Sequence, residues 1–316
     1  MAQFHERRML LATKVEVTEG TREAPVGADA NLLAYDVTAE ADIAQFERRP
    51  LQQTNFPYSS VPGGRRAKIT FKVEQKGSGT AGTAPAIGKL LKAAGFGETV
   101  VPATSVTYAP IIVAIPSLTI DLFALPESGN HLRFSMKGCR CSGFKLPGPV
   151  GNPGMYELEF SGVYDGVTDQ TALTPSGLET TKPPALLTAA FSLHSFSPKV
   201  SKIDLDLGVG GAWRSDLNLA AGYLSYAVVE HKPMLAIDPE KDLVATFDWF
   251  GKKLSAAEAA WTYKFDGGAG NICTISGSKS QILKISEASR GGLGIFNVDV
   301  KLNGSSGNDA VSLAFT

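Results

Sequence analysis

The sequence predicts a mostly β protein built from two tandem antiparallel domains, each with a short flanking helix. Apolar and charged residues alternate along several segments. Alternation with a period of two, which gives a strand one apolar and one solvent-exposed face, is typical of antiparallel sheets. Helical patterns are few and short. A similar order of motifs occurs in both halves of the 316-residue chain, which is long enough for two domains. The clearest alternating segments are residues 68–74, 156–160, 202–207 and 296–302.

Two segments have helical character. Residues 85–94 begin with Pro85, a residue favoured in the first turn of a helix, and stop before Gly95, a favoured C-terminal residue. Residues 252–260 form the second pattern. Each lies between alternating segments, so we expect one short helix beside the sheet of each domain.

The two halves of the sequence show a similar succession of motifs. Residues 46–51 and 229–234 both read apolar, Glu, two basic-type residues, Pro, apolar. After each we expect a loop, a strand, a helix and a Gly-Asn turn. Identity is sparse, so chance similarity between two β domains stays an alternative. The paired strands are residues 69–73 and 243–247, and the paired turns are Gly129-Asn130 and Gly270-Asn271.

These patterns predict domain boundaries. The first domain covers residues 1–166 and contains a long loop at 48–66. Residues 167–186 are rich in Thr, Pro and Ser without periodicity, which is typical of an extended linker. Residues 187–316 form the second domain.

Composition excludes several classes of protein. Lys and Arg total 30 against 31 Asp and Glu, so a generally basic nucleic-acid binder is not expected. The three Cys form no C-x-x-C pair and no cluster with His, so we expect no metal site. No apolar run is long enough for a signal peptide or a membrane span, and we expect no membrane partner.

One motif resembles a nucleotide-binding turn. Residues 77–82 fit G-x-G-x-x-G, follow a strand and precede a helix. The preceding strand is half charged, however, and residues 83–85 separate the last Gly from the helix body. No βαβ series follows, so we interpret the segment as a flexible loop and expect no cofactor.

No catalytic constellation is present. The four His form no metal or triad pattern, and no G-x-S-x-G elbow occurs. The pairs Glu157/Glu159 and Asp204/Asp206 are the residue types that glycosidases use. Carboxylates two residues apart on a strand are more typical of a solvated sheet face, so we do not expect an enzyme.

The loop at 48–66 is the strongest candidate contact segment. Long ordered loops in compact domains usually carry function, and exposed aromatic side chains normally bury against something. The alternative is a mobile surface loop. The residues that we expect to contact another subunit are Arg48, Arg49, Phe56, Tyr58, Arg65 and Arg66.

The sequence resembles the tube (major tail) proteins of long-tailed phages. The resemblance covers most of residues 9–165 and weakens afterwards, and residues 1–8 look like an extension before the usual start. The similar runs are residues 9–21, 24–30, 63–66, 77–86 and 158–164.

The resemblance implies tail-tube domains, each a β-sandwich or small barrel with a flanking helix, that join edge to edge into rings which stack into a tube. Rings of the family commonly have six domains, so two domains per chain imply a homotrimer with pseudo-sixfold symmetry. Other tail proteins would cap the tube ends. The location would be the virion tail, after assembly in the bacterial host cytoplasm.

Double-stranded DNA would pass through such a tube without specific binding, and an acidic lining would keep it from sticking. Solvation on the outer wall, or pairing with neighbouring Lys and Arg, is the alternative for these acidic residues. A monomeric carbohydrate- or receptor-binding β-sandwich is the alternative function. The candidates for the lumen are Glu157, Glu159, Asp204, Asp206 and Asp299.

Overall fold

The computed structural model describes residues 3–53, 55–171, 173–187 and 190–316. Residue 54 of the predicted loop, residue 172 of the predicted linker, residues 188–189 of the predicted second domain and residues 1–2 of the N-terminal extension lie outside the described residues. Strands account for 56% of the structure and helices for 5%, so the prediction of a mostly β protein with antiparallel sheets is confirmed.

Among the described residues, the first half has eight strands, one α-helix and a 3-10 helix at Gly27–Asp29, and the second half has nine strands and one α-helix. The first half contains β1 (Phe4–Val15), β2 (Ala34–Arg48), β3 (Tyr58–Glu74), α1 (Gly88–Ala93), β4 (Phe96–Val101), β5 (Ser105–Pro110), β6 (Leu118–Pro126), β7 (His131–Pro149) and β8 (Met155–Gln170). The second contains β9 (Phe191–Leu193), β10 (Lys202–Asp206), β11 (Val209–Ser215), β12 (Tyr223–His231), β13 (Met234–Ile237), α2 (Trp249–Leu254), β14 (Glu258–Asp266), β15 (Ile272–Arg290), β16 (Leu293–Asn303) and β17 (Ser312–Phe315).

One sheet runs through both halves. Its main path is β2-β3-β8-β7-β10-β13-β16-β15-β17-β5-β4, and every described ladder is antiparallel. The halves meet twice in this sheet, where β7 pairs with β10 and where β17 pairs with β5. Hydrogen-bonded ladders therefore join the halves, in addition to side-chain contacts.

The same pairing order occurs in each half. The first half has the order β1-β6-β7-β8-β3-β2, and the second has β9-β14-β15-β16-β13-β10. In both, a long hairpin precedes the helix. The first is β2–β3, and the second consists of β10 and β11 on one side and β12 and β13 on the other.

Two β-bulges occupy equivalent places in the two halves. The β7–β8 ladder shifts between Cys141 and Gly143, and the β15–β16 ladder shifts between Ile282 and Lys284. The β6–β7 ladder also shifts between Leu118 and Ile120, and the β14–β15 ladder shifts between Ala259 and Trp261. Because bulges are specific local features of a ladder, two matched bulges fix the residue equivalence between the halves.

This equivalence corrects the motif match made from sequence. Ile43 pairs with Arg65 in the first hairpin, and Val209 pairs with His231 at the equivalent position of the second. Residues 46–51 thus lie at the end of the first strand of one hairpin, whereas 229–234 lie at the junction of β12 and β13, on the second side of the other. The motifs resemble each other in chemistry but lie on non-equivalent strands.

The other differences from the sequence predictions are local. Tyr58 to Arg66 belong to β3, so the connection between β2 and β3 is shorter than the predicted loop. The predicted linker 167–186 overlaps β8, which continues to Gln170. Residues 243–247 form a turn closed by hydrogen bonds to the carbonyl of Leu243, not a strand. The second helix begins earlier than predicted and is followed at Glu258 by β14, which occupies part of the predicted helix 252–260.

The larger of two apolar clusters in the described residues lies behind the sheet and includes side chains from both halves, and a small second cluster surrounds Ala12, Ala30 and Phe123. At the junction between halves, Leu146 of β7 pairs with Leu205 of β10, and both are buried. Phe71 and Phe160 stack across β3 and β8 with ring centroids 5.8 Å apart. Burial explains why alternation was visible in the sequence: the alternating segments lie in β3, β8, β10 and β16, and each of these strands has one face on the core.

Candidate assembly surfaces

The five carboxylates proposed for a lumen lie on one face of the continuous sheet. Residues opposite each other in an antiparallel ladder point to the same face, as do residues two apart on a strand. Lys145 connects the two halves, because it lies opposite Glu157 on one side and Asp206 on the other. By the same rule Asp204 and Asp299 share this face, since both lie opposite Ala236.

Lysines neutralise most of these carboxylates. The Nζ atoms of Lys68 and Lys72 lie 2.7 Å from Glu159 and 3.5 Å from Glu157, respectively. A second group of ion pairs lies at the junction, with distances of 3.3 Å for Lys202–Asp204 and 3.6 Å for Lys145–Asp206. The face, which we call the charged face, therefore carries alternating charges. Sequence alone showed its acidic residues without their partners.

The six residues proposed as contacts lie along the first hairpin, on both strands and at the connection. The Arg48 guanidinium stands 5.6 Å from the ring centre of Tyr58, its ladder partner. Arg49, near the tip, pairs with Glu47. Phe56 in the connecting loop is 80% exposed, and Leu51 in the same loop is fully exposed. The tip thus presents two apolar side chains to solvent.

The base of this hairpin is anchored. Arg66 donates a hydrogen bond to Asp42 at 2.7 Å and stands over the rings of Trp213 and Tyr223 in the second hairpin. The backbone N–H of Arg65 donates to the carbonyl of Ala221. The Arg65 side chain is exposed and has no ion pair or hydrogen bond among the described residues. The six candidates are therefore not one cluster: Arg66 is used within the chain, whereas Arg65 and Phe56 are available.

An ionic cluster attaches the second hairpin to the first half. Glu19, which follows β1, accepts hydrogen bonds from Arg140 at 2.7 Å, from Arg214 at 2.5 Å and from Ser225 at 2.6 Å. Arg140 also donates to the carbonyl of Tyr226. Local sequence patterns did not reveal this cluster, because Glu19, Arg140 and Arg214 are more than 70 residues apart along the chain.

The environment of Glu19 has a strong effect on its acidity. Burial by itself raises the pKa of this carboxyl, but hydrogen bonds from Arg140, Ser225 and Arg214 outweigh it and bring the pKa down to about 2. Glu19 therefore stays ionised, and the ion pairs persist, throughout the neutral and mildly acidic range.

The end of α1 forms a further contact between the halves. His231, at the end of β12, lies with its Nε2 atom 2.9 Å from the carbonyl oxygen of Ala94, the C-terminal cap of α1. Its ring also packs against Phe96, with centroids 6.5 Å apart. The second hairpin thus covers the end of the helix in the first half.

The glycine-rich segment 77–82 contacts the second half. The N–H of Gly77 donates to the side-chain oxygen of Asn271, and the N–H of Gly79 donates to the carbonyl of Gly270. A Cβ on Gly77 would lie 2.2 Å from the Gly270 oxygen, so the close approach requires glycine. This segment is a docking loop for the predicted Gly-Asn turn, which corrects its interpretation as a flexible loop.

The tryptophans do not form an exposed aromatic groove. Trp249 and Trp261 are both buried. Trp213 packs between Tyr223 and Tyr226, with ring centroids 5.4 and 5.2 Å away, and under Arg66.

Neither a protein-family model nor a curated protein sequence matches this chain. In the described part of the chain, neither helix has the length and apolar character needed to cross a membrane.

Proposed function

We propose that this protein is the structural subunit of a bacteriophage tail tube, which assembles as stacked rings around a channel for DNA. The observation that carries the proposal is the duplicated ladder: two equivalent halves, with matched bulges, continue one sheet through the β7–β10 junction. A chain that already joins two such units edge to edge can add further copies by the same kind of contact.

Unpaired sheet edges support this role. Within the described residues, β2 pairs only with β3 and β4 only with β5, so both lie at edges of the sheet. Long exposed edges are a hazard for a monomer and are usually blocked or used for association. Six units in a ring with two per chain correspond to a homotrimer with pseudo-sixfold symmetry. In the virion, other tail proteins would occupy the two ends of the tube.

The charged face suits contact with passing DNA. Free Lys and Arg would hold phosphates, whereas lysines engaged by Glu157, Glu159, Asp204 and Asp206 are already neutralised. The net-negative lining expected from the sequence thus becomes a lining of paired charges. It would let the duplex slide without specific binding, and the protein would need no cofactor and no catalytic residue.

The alternative function, a monomeric sugar- or receptor-binding module, draws less support. Such modules present aromatic side chains in a groove, and the tryptophans here are buried or packed within the chain. Negative-stain electron microscopy of the purified protein at high concentration tests the proposal. Rings or tubes support it, and a protein that is monomeric at every concentration and salt contradicts it.

A further inference from the structure

The ladder between β7 and β10 is a template for contacts between copies. The matched bulges make residues 145–147 of β7 equivalent to 286–288 of β15. The β3–β8 and β13–β16 ladders make residues 38–40 of β2 equivalent to 204–206 of β10. In the template, 204–206 pair with 145–147.

The equivalent segments, residues 286–288 of β15 and 38–40 of β2, are both unpaired on the edge that corresponds to the β7–β10 ladder. In the described chain, residues 284–290 of β15 pair only with β16, because β14 ends its ladder at Gln281. Residues 38–40 of β2 pair only with β3. Each copy therefore has one free edge of each kind.

We propose that β2 of one copy adds to β15 of the next copy as an antiparallel strand in the register of the internal junction. Thr38 then lies opposite Ala288, Ala39 opposite Glu287 and Glu40 opposite Ser286. The inference rests on the proposed function only in taking a second copy of the chain as the partner. The contact is head to tail, and contacts of this kind form a ring when the rotation between copies closes, as the proposed function requires.

Charge supports this register. Asp206 of the template pairs with Lys145 at 3.6 Å, and Glu40 keeps an acidic residue at the equivalent position. Its direct partner would be Ser286, but Lys284 is the diagonal neighbour, within reach of a long side chain. Glu40 and Lys284 are both exposed, and neither has an ion pair in the described part of the chain. In the proposed ladder, Glu40 of one copy and Lys284 of the next form an ion pair.

The proposed contact requires an uncovered apolar surface on α2 that α1 does not have. The two helices differ in this way. Leu90 and Leu91 of α1 are buried, whereas Leu254 and Phe250 of α2 are 90% and 55% exposed. The second hairpin reaches the end of α1, but nothing in the described chain does the same for α2. An exposed apolar surface of this kind marks an interaction site. In the proposed contact, the first hairpin of a second copy covers the end of α2, as the second hairpin covers the end of α1.

Arg65 is the residue equivalent to His231, since they pair with the equivalent residues Ile43 and Val209. His231 lies against the carbonyl at the C-terminal cap of α1. In the proposed contact, the unpartnered Arg65 guanidinium donates to the carbonyl at the cap of α2, Ser255. Arg65 thus acts between copies.

Cysteine cross-linking tests the register. Directly opposite residues in an antiparallel ladder have Cα atoms about 4.5–5.5 Å apart, within disulfide range. The Thr38→Cys/Ala288→Cys variant, oxidised as assembled rings, should give covalent multimers that end at a closed trimer. The control Thr38→Cys/Glu287→Cys points to opposite faces and should give none. The native Cys139, Cys141 and Cys273 are buried and do not interfere.

Tubes without cross-linking between positions 38 and 288 would overturn this register while leaving the tube function intact. Absence of any assembly by the unmodified protein would overturn both.

Side-chain substitutions give a second readout that avoids cysteines. Glu40→Lys or Lys284→Glu should each weaken ring association about two- to fivefold, and the double reversal should restore it. Arg65→Ala should weaken association about two- to tenfold, whereas Arg49→Ala, at the hairpin tip, should not affect ring closure. Unchanged association in all these variants would contradict the proposed contact.

Discussion

Lys145 of β7 and Asp206 of β10 face each other across the ladder that joins the two halves, with 3.6 Å between Nζ and Oδ2. This pair lies where one copy of a duplicated fold continues the sheet of the other. Because the contact is both a backbone ladder and a side-chain ion pair, it defines a geometry that a second chain could repeat.

The Glu19 cluster should control how firmly the second hairpin is attached. Glu19→Gln removes the charge that balances Arg140 and Arg214 and should lower the free energy of unfolding by about 1–3 kcal/mol. Urea denaturation monitored by fluorescence measures this. Glu6→Gln, at an exposed position, is the matched control. A loss no larger than that of the control would contradict the role given to Glu19.

The same cluster predicts a pH dependence. The folded-state pKa of Glu19 is about 2, below its ordinary value of 4.5, so its contribution to stability is complete above about 4.5 and is lost as the pH falls towards about 2. The stability difference between wild type and Glu19→Gln should therefore shrink over this range. A difference that stays constant between pH 5 and pH 2 would show that the carboxylate charge is not what matters.

The charged face should be indifferent to DNA only while its lysines are paired. Replacing Asp204 and Asp206 by Lys should leave assembly largely intact, because the expected loss per exposed pair is about 0–1 kcal/mol. Tubes of this variant should retain double-stranded DNA at low salt and release it at high salt. The control Glu6→Lys/Glu127→Lys carries the same charge change on β1 and at the residue that follows β6. Equal DNA retention by both variants would contradict the assignment of the charged face to the lumen.

The apolar hairpin tip should connect rings. A deletion within the predicted loop, such as residues 55–62, would cut into β3, so Leu51→Ser/Phe56→Ser is the cleaner change. It should leave rings intact and stop tube growth, since both side chains are exposed and contribute little to the core. Val17→Ser, another exposed apolar position, is the control. Tubes of normal length from the tip variant would contradict this assignment.

The three thiols should be inert in the folded protein. Burial raises the pKa of Cys139, and it raises the pKa of Cys141 and of Cys273 to about 12. A thiol reagent at pH 8 should therefore modify no cysteine in the native protein and three after denaturation. Rapid modification of the native protein would mean that the sheet opens around β7 or β15.

Much of the sheet could be predicted from the sequence, because one buried face makes strands such as residues 68–74 alternate. The Gly-Asn turns were equally accessible: Gly129 and Gly270 both have positive φ, which glycine adopts easily. The equivalence of the two hairpins could not be predicted from the sequence, because motifs of similar chemistry lie on non-equivalent strands. Residues 243–247 alternate like a strand but form a turn, with Phe247 stacked on Phe196.

The surfaces were less predictable, because they depend on pairs between distant residues. Glu157 and Asp206 share a face only through Lys145, and Glu19 meets Arg214 only after the second hairpin folds back. No local pattern records such contacts. The exposure of Phe56 could be predicted from the sequence, because an aromatic residue in a Pro-rich loop has no apolar core nearby to pack into.

Electron microscopy of the purified wild-type protein at high concentration, with two-dimensional class averages of end-on views, tests the central claim most directly. The account predicts stacked rings of three chains that show six similar units around an open channel. A strictly monomeric protein under all conditions, or rings made of six chains, would contradict it.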